Sequence, residues 1–250
     1  MRALYREQTV YHGEYATVSV FPVFRTGRKR GGRYRPTSDV QQRLNDFNAR
    51  ERVAWQLDAN YKSGDGLWLL SFDNAHLPES RAAWIKAWQA FKRRLARYFA
   101  REGLGELKLV AVCHGDIGGG RPHIHVCVNA DICPATMDAL WGQGYTDVRT
   151  LKKGRTGLRG LAEYMLRGMS WGRVLTTRNL ETPVPKERTG ELTRAAAEKI
   201  WETWDDASGY AGLLPGYRIA EVEPFYNWYN KHYYLRIYLY REDLYGNKDR

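Results

Sequence analysis

Residues 106–129, ELKLVAVCHGDIGGGRPHIHVCVN, predict two β-strands joined by a glycine-rich turn. Apolar residues dominate both arms of this stretch, and the glycines between them suit a tight reversal of the chain. His123 and His125 are two residues apart on the second strand, so both side chains point to the same face of the sheet. An antiparallel hairpin centred near residue 119 sets His114 opposite this pair. Three imidazoles are therefore expected on one patch of sheet.

This expected patch has the chemistry of a metal site. Three imidazoles can hold a divalent cation and leave positions open for water or a phosphate oxygen. A single histidine is more often a structural residue, but a spaced pair with a third histidine across a turn favours ligation. Cys127 shares the face of the pair, whereas Cys113 faces away from His114. Both cysteines are interpreted as small buried hydrophobic residues.

The segments around this hairpin alternate between strand and helix patterns. Apolar residues recur at helical spacing in the longest of them, with one face made of Trp84, Trp88, Phe91, Leu95 and Phe99. The predicted order is strand 67–72, helix 78–101, strands 106–114 and 122–129, helix 135–141, strand 145–151 and helix 156–169. This β-α-β-β-α-β-α order predicts an α+β fold with a ferredoxin-like, split βαβ antiparallel central sheet and helices packed on one face.

Two flanking segments are predicted as additions to a central domain of residues 36–185, which itself opens with a helix. Residues 1–35 form an N-terminal segment with a basic arm. Residues 186–250 form an extension packed on the same domain, with a helix at 191–206 and strands near 217–223 and 233–240. The aromatic run Phe225-Tyr226-Asn227-Trp228-Tyr229 is interpreted as core or a sheet edge, with base stacking as the alternative.

Charge and composition favour a nucleic-acid partner. The 250 residues include 39 Lys and Arg against 28 Asp and Glu, a formal net charge of +11. Such a surplus favours a polyanion, and aromatic residues at 13% add the rings on which unpaired bases stack. No apolar run approaches the length of a membrane-spanning helix, and the N-terminus has no apolar signal region. Three cysteines without a CxxC motif favour a reducing, cytoplasmic location.

Several basic residues are candidate contacts to a nucleic-acid backbone. The stretch RTGRKRGGRYR at 25–35 holds six basic residues and no acid, so it is interpreted as a solvated loop or a phosphate-contacting arm. Further candidates lie on the helix at 78–101 and just before the histidine pair. The full set is Arg28, Lys29, Arg30, Arg33, Arg93, Arg94, Arg97 and Arg121.

A candidate nucleophile follows one strand and one helix after the histidine pair. Tyr164 lies in the predicted helix 156–169, with Arg167 one turn later on the same face. A phenol with a pKa near 10 is a poor nucleophile unless a metal or cation stabilises its anion. Arg167 could act there or at a transferring phosphate.

The ordered motifs GRPHIHV and LRGLAEYMLRG resemble those of the HUH endonucleases, which include rolling-circle replication initiators, relaxases and transposases. The resemblance is to the bacterial and phage replication initiators in particular, and it extends over PTSDVQQRLN, LWGQGYTDVRTL and TRNLETP. It implies an HUH palm, with His123 and His125 as metal ligands and Tyr164 as nucleophile. His114 stands where many members carry a third-ligand Glu, and Arg167 stands where they carry Lys. With one tyrosine in the helix, a single-tyrosine enzyme is implied.

The resemblance also implies a function. A single-stranded or hairpin origin DNA would be nicked with Mn²⁺ or Mg²⁺, forming a 5′-phosphotyrosyl bond to Tyr164 and leaving a free 3′-OH. The product would prime rolling-circle replication, with a host helicase and DNA polymerase as expected partners and the bacterial cytoplasm as the location of a plasmid- or phage-encoded protein. ATP is not expected, because the sequence has no GxxxxGK[ST] loop.

Three alternatives remain open at the level of sequence. A relaxase or transposase would use the same chemistry. A non-catalytic nucleic-acid-binding module could keep the HUH fold without the reaction. A histidine-triad nucleotide hydrolase would need a third alternating histidine, but position 127 is Cys.

Overall fold

The chain folds as a mixed α+β protein with two antiparallel five-stranded sheets. A computed structural model describes residues 4–23, 39–115, 120–167, 169–206, 213–228 and 231–244. Two compact units are present, a first unit of 1–59, 154–159 and 182–250 and a second unit of 60–153 and 160–181. The predicted domain boundaries at 35/36 and 185/186 both fall inside the first unit. No helix within the described ranges is long and apolar enough to cross a membrane.

The described elements comprise ten strands and five α-helices. The helices are α1 (Asp39–Asn60), α2 (Arg81–Glu102), α3 (Pro134–Trp141), α4 (Arg159–Leu166) and α5 (Arg194–Glu202). The strands are β1 (Leu4–His12), β2 (Tyr15–Val23), β3 (Gly66–Phe72), β4 (Leu109–His114), β5 (His123–Val128), β6 (Gly144–Thr150), β7 (Met169–Thr176), β8 (Lys186–Leu192), β9 (Tyr217–Asn227) and β10 (His232–Arg241).

The sheet of the second unit has the strand order β6-β3-β5-β4-β7. Helix α2 begins at Ser80, whose side chain accepts from the Ala83 amide, and ends at Gly103 in the left-handed conformation. Its buried face is the predicted one: Trp84, Trp88, Phe91, Leu95 and Phe99. This face and α3 pack on one side of the sheet with the alternate residues of β3, β4 and β5. The buried aromatic layer therefore holds the strands that carry the histidines.

Helix α4 lies on the opposite side of that sheet. The backbone carbonyl of Met165 in α4 accepts a hydrogen bond from His114, and the Tyr164 ring contacts His125. The prediction that the helices pack on one face of the sheet is therefore wrong for α4. The predicted helix 156–169 was also too long, because Met169 already belongs to β7 and pairs with His114 of β4.

The first unit is built on a sheet with the order β8-β1-β2-β10-β9. Helix α1 is tied to it by the buried carboxylate of Asp58, which bonds His12 Nδ1 at 3.0 Å and accepts from the Leu158 amide at 2.7 Å. Gly157 has φ +63° and lies against this carboxylate, where a Cβ would clash. Helix α5 packs on β10 and β1. Residues 4–23, predicted only as a segment before the domain, thus form two central strands of a sheet.

Candidate active site

The strand register brings the three predicted histidines together. His114 of β4 is paired directly with His123 of β5, and His125 is two residues further along the same strand. Ring centroids are 5.2 Å apart for His114 and His123, 4.8 Å for His114 and His125, and 5.2 Å for His123 and His125. His114 and His125 are each 8% exposed. The predicted patch of three imidazoles on one face is confirmed.

Backbone carbonyls orient two of these rings. His114 Nε2 donates to the Met165 carbonyl at 2.8 Å, and His123 Nδ1 donates to the Arg121 carbonyl at 3.0 Å. Since a carbonyl only accepts, the hydrogen-bonded nitrogen carries the proton in each ring. The second nitrogen of a neutral ring then keeps its lone pair. Histidines that bind metals are commonly held in this way, with the non-ligating N–H donated to an acceptor.

His125 is held neutral by its surroundings. Burial lowers its pKa to about 4, and the neighbouring His114, His123 and Arg149 act in the same direction. Neutral imidazole is the form that donates its lone pair to a metal. The environment of His125 therefore suits ligation at neutral pH.

The cluster fits a metal by its donor chemistry. Among the residues that the structure describes, no group of three or more His, Cys, Asp or Glu side chains is arranged as it would be around a bound ion. The carbonyl-oriented rings nevertheless supply nitrogen donors of the kind that first-row transition metals accept. Mg²⁺ prefers oxygen ligands, so of the two expected ions Mn²⁺ matches this donor set better.

Tyr164 stands beside the histidines. Its ring lies 5.2 Å from that of His125, edge-to-face at 76°, and the residue is 48% exposed. The next residue, Met165, receives the His114 hydrogen bond and lies 3.8 Å from Cys127 Sγ through its Sδ. Burial raises the pKa of the Cys127 thiol, so Cys127 is a packing residue at this junction. The phenol is thus accessible and fixed against the imidazole patch.

Arg167 follows the end of α4 and points toward solvent. Its side chain is 77% exposed and its guanidinium lies 3.6 Å from Glu163 Oε1. This i,i+4 pair is a surface interaction of small energy. The structure places Tyr164 against the histidines and pairs Arg167 with Glu163.

The predicted DNA-contact residues fall into three groups. Arg94 donates to the carbonyls of Leu140 and Trp141 at 2.6 and 2.7 Å, and Arg121 donates to the Phe72 carbonyl and to Asn74. Both have structural partners. Arg93 and Arg97 are exposed on α2, on the side of the sheet away from the histidines. The remaining four are Arg28, Lys29, Arg30 and Arg33, which lie outside the described residues.

Two polar residues of the site were not predicted from the sequence. A cleft next to Tyr164 and His125 is lined by Asp147 and Arg149 of β6 together with Leu67 and Leu69 of β3. The register sets Asp147 across Leu69 from His125. Alternation in the predicted strand 145–151 already put Asp147 and Arg149 on one face. The sequence did not reveal that β6 lies next to β3 and therefore close to the histidines.

Three residues at the start of the second unit, Asn60, Tyr61 and Asp65, have structural roles. Asn60 makes two hydrogen bonds with the backbone of Glu181, each at 2.8 Å, which joins the end of α1 to the segment 177–183. Tyr61 donates from its hydroxyl to the Cys127 carbonyl at 3.2 Å. Asp65 accepts from the Lys62 amide at 2.9 Å and so closes the turn before β3. These hydrogen bonds give all three residues partners within the protein.

The aromatic run at 225–229 ends the edge strand β9, as the sheet-edge interpretation expected. Tyr226 packs against Trp228 at 4.7 Å between ring centroids, and Trp228 is 83% exposed. Tyr229 lies outside the described residues.

Comparisons with protein-family models, curated proteins and solved structures gave no significant match.

Proposed function

We propose that this chain is a single-tyrosine HUH endonuclease that nicks single-stranded or hairpin DNA at a rolling-circle replication origin. One observation carries the proposal. An accessible tyrosine, Tyr164, rests against His125 in a cluster of three histidines on one sheet face. A lone tyrosine on a helix indicates nothing, and a histidine cluster alone indicates a metal site. Together they supply a nucleophile next to a site that can polarise a phosphate.

Strand order in the second unit supports an HUH palm. Strands β3 and β4 flank helix α2 in sequence, and β5 lies between them in the sheet. Strand β6 follows α3 and pairs on the other side of β3. A crossover whose two strands are separated by an inserted strand is the split βαβ arrangement expected for a ferredoxin-like sheet.

The reaction is a transesterification at one phosphate. Mn²⁺ or Mg²⁺ held by His114, His123 and His125 would polarise the scissile phosphate. The Tyr164 phenol loses its proton to water and its oxygen forms the new bond to phosphorus. The bond from phosphorus to the 3′ oxygen breaks, and that oxygen takes up a proton to become the free 3′-OH. The 5′ end remains linked to Tyr164 as a phosphodiester.

Positioning does most of the catalytic work in such a transfer. The sheet fixes the histidines, and the bond from His114 to Met165 fixes the helix that carries Tyr164. One bond is exchanged for another of the same kind, so no ATP is consumed and the reverse step can rejoin ends. The free 3′-OH would be extended by a host DNA polymerase behind a host helicase.

The experiment that tests this function compares tyrosine variants in a cleavage assay. Full-length protein is incubated with Mn²⁺ and a pool of single-stranded and hairpin oligonucleotides, and products are separated with and without protease treatment. Tyr164→Phe should abolish a protein-linked DNA band that the wild type forms. Tyr145→Phe is the matched control, because Tyr145 is a 71% exposed tyrosine in register with His123 across β3.

The outcomes separate the candidate activities. A band that needs metal and Tyr164 but not Tyr145 supports the proposal. Cut DNA without a covalent adduct would indicate metal-dependent hydrolysis. An adduct lost only in Tyr145→Phe would show that Tyr145, and not Tyr164, is the nucleophile. Binding without cleavage across the whole pool would favour a non-catalytic module.

A further inference from the structure

The cleft beside Tyr164 carries two charged side chains that the protein leaves unused. Asp147 and Arg149 line it on β6, and neither side chain forms a hydrogen bond or ion pair with another described residue. Both are exposed on an edge strand. Other arginines of the second unit, Arg94 and Arg121, donate to protein carbonyls. The donor and acceptor in the cleft are therefore available to a ligand.

The residues that line the cleft indicate which part of a nucleic acid would bind there. Its apolar part comes from Leu67 and Leu69, which suits the flat face of a base. A backbone phosphate would be attracted by Arg149 but repelled by the carboxylate of Asp147 in the same cleft. A nucleobase offers both kinds of partner on one edge, since it carries N–H donors beside carbonyl or ring-nitrogen acceptors. A base could therefore contact Leu67 and Leu69 with its face and form hydrogen bonds to Asp147 and Arg149 with its edge.

Guanine matches the pair best. Its outer edge presents the O6 acceptor beside two adjacent N–H donors, N1–H and the N2 amino group. A guanidinium donates to O6, and a carboxylate accepts from the adjacent N–H groups. In duplex DNA this edge is occupied by cytosine, so the base must be unpaired. The fit is therefore to a single strand, as the proposed function requires.

We propose that Asp147 and Arg149 form a subsite for an unpaired guanine adjacent to the scissile phosphate. The inference rests on the proposed function, because Tyr164 lines the same cleft and sets the attacked phosphate next to the bound base. Asp147 and Arg149 act as specificity residues here, whereas the histidines and Tyr164 carry the reaction. The subsite predicts a nick sequence with guanine at one position flanking the cut.

The test is the base preference at the nick. A single-stranded pool randomised around the cleaved position is incubated with wild type, Asp147→Asn and Arg149→Gln, and adducts are sequenced. Wild type should enrich guanine at one flanking position. Both variants should lose that preference, with the adduct rate on the best sequence about 10-fold lower, within the range of about 5- to 150-fold typical of one bidentate base contact. Asp131→Asn and Arg101→Gln are matched controls at exposed positions elsewhere in the second unit and should keep the preference.

A binding measurement gives a readout independent of chemistry. Fluorescence anisotropy in the Tyr164→Phe background, without metal, compares an oligonucleotide of the preferred sequence with one abasic at the guanine position. When the wild type yields no adduct, a set of oligonucleotides with one guanine at each position in turn replaces the preferred sequence. Guanine should raise affinity severalfold, and Asp147→Asn or Arg149→Gln should remove that gain. Both residues are exposed on an edge strand, so circular dichroism should show unchanged folding.

The two proposals fail in different ways. Adduct formation with no preference, with preference for another base, or with a preference that both variants keep would overturn the guanine subsite and leave the nuclease intact. A different result is that Arg149→Gln lowers adduct formation equally for every sequence, while Asp147→Asn has no effect. That result would make Arg149 a contact to the DNA backbone and would also overturn the guanine subsite. Absence of any adduct would refute the nuclease, and the anisotropy comparison would then decide the subsite alone.

Discussion

His114 Nε2 donates to the backbone carbonyl of Met165 at 2.8 Å, which ties a histidine of β4 to the residue following Tyr164. The same side chain contributes a ring to the histidine cluster and fixes the helix of the candidate nucleophile. These two roles can be separated by substitution.

Replacement of His114 should have a structural and a chemical effect. His114→Ala leaves the Met165 carbonyl without its donor, and an unsatisfied buried acceptor costs about 1–3 kcal/mol. His114→Gln retains an N–H donor and should recover part of that stability while still lacking the imidazole. The free energy of unfolding in urea should be highest for wild type, lower for His114→Gln and lowest for His114→Ala. Both variants should form less adduct than wild type. Equal stabilities for Ala and Gln would show that this hydrogen bond does not hold α4.

The all-imidazole cluster predicts a metal preference. Nitrogen donors suit first-row transition metals, whereas Mg²⁺ prefers oxygen ligands and releases water reluctantly. Adduct formation should therefore reach half-maximum at a concentration of Mn²⁺ at least tenfold below that of Mg²⁺, and EDTA should abolish it. His123→Asp exchanges one nitrogen for oxygen and should narrow that gap. An unchanged Mn²⁺-to-Mg²⁺ ratio in this variant would separate His123 from the metal.

Much of the second unit could be predicted from sequence, because strong local patterns agree with the tertiary structure. The five aromatic and aliphatic residues on one face of α2 and the spacing of His123 and His125 are examples. Helix 156–169 was overextended because the apolar spacing of LRGLAEYMLRGM is helical, and only pairing with β4 turns Met169 into a strand residue. Strand β8 (KERTGEL) carries almost no apolar signal, since it lies at a sheet edge.

Partners of charged residues depend on tertiary contacts that composition does not reveal. In the sequence Arg94 is one of several basic residues on a helix, but in the structure it donates hydrogen bonds to the carbonyls at the end of α3. Arg149 carried no signal of its own, because its significance comes from strand order. The sequence therefore identified these cations but not the groups that each one contacts.

Asp65 is expected to make stability pH-dependent. Burial raises the pKa of this carboxyl, against the opposing effects of the Lys62 amide and the lysines at 62 and 153. A raised folded-state pKa means that the folded state binds the proton more tightly than the unfolded state. The resulting stabilisation is present at acid pH, below the unfolded value, and is lost as pH rises through the folded pKa.

Asp65→Asn removes this ionisation and keeps an oxygen acceptor for the Lys62 amide. The variant should gain free energy of unfolding relative to wild type at pH 7, and the difference should shrink as pH approaches 4. Chemical denaturation from pH 4 to 8 measures it, with the exposed Asp131→Asn as the control. A gap that widens toward acid pH would mean that the Asp65 carboxylate is stabilised in the fold.

Arg94 is expected to stabilise the fold rather than to bind DNA. Its two hydrogen bonds cap the carbonyls of Leu140 and Trp141 at the end of α3, and burial, with Arg97 and Arg93, lowers its pKa. Because hydrogen bonds to charged groups contribute about 1.5–3 kcal/mol, Arg94→Gln should destabilise the protein by about 2 kcal/mol. Arg97→Gln, at an exposed position one turn away, should change stability by less than about 0.5 kcal/mol. If Arg94 contacts no phosphate, its variant keeps the wild-type dependence of DNA affinity on salt, whereas loss of a phosphate contact would reduce the slope by about one. A reduced slope in Arg94→Gln without loss of stability would return this residue to the DNA interface and would show that its α3 contacts are dispensable.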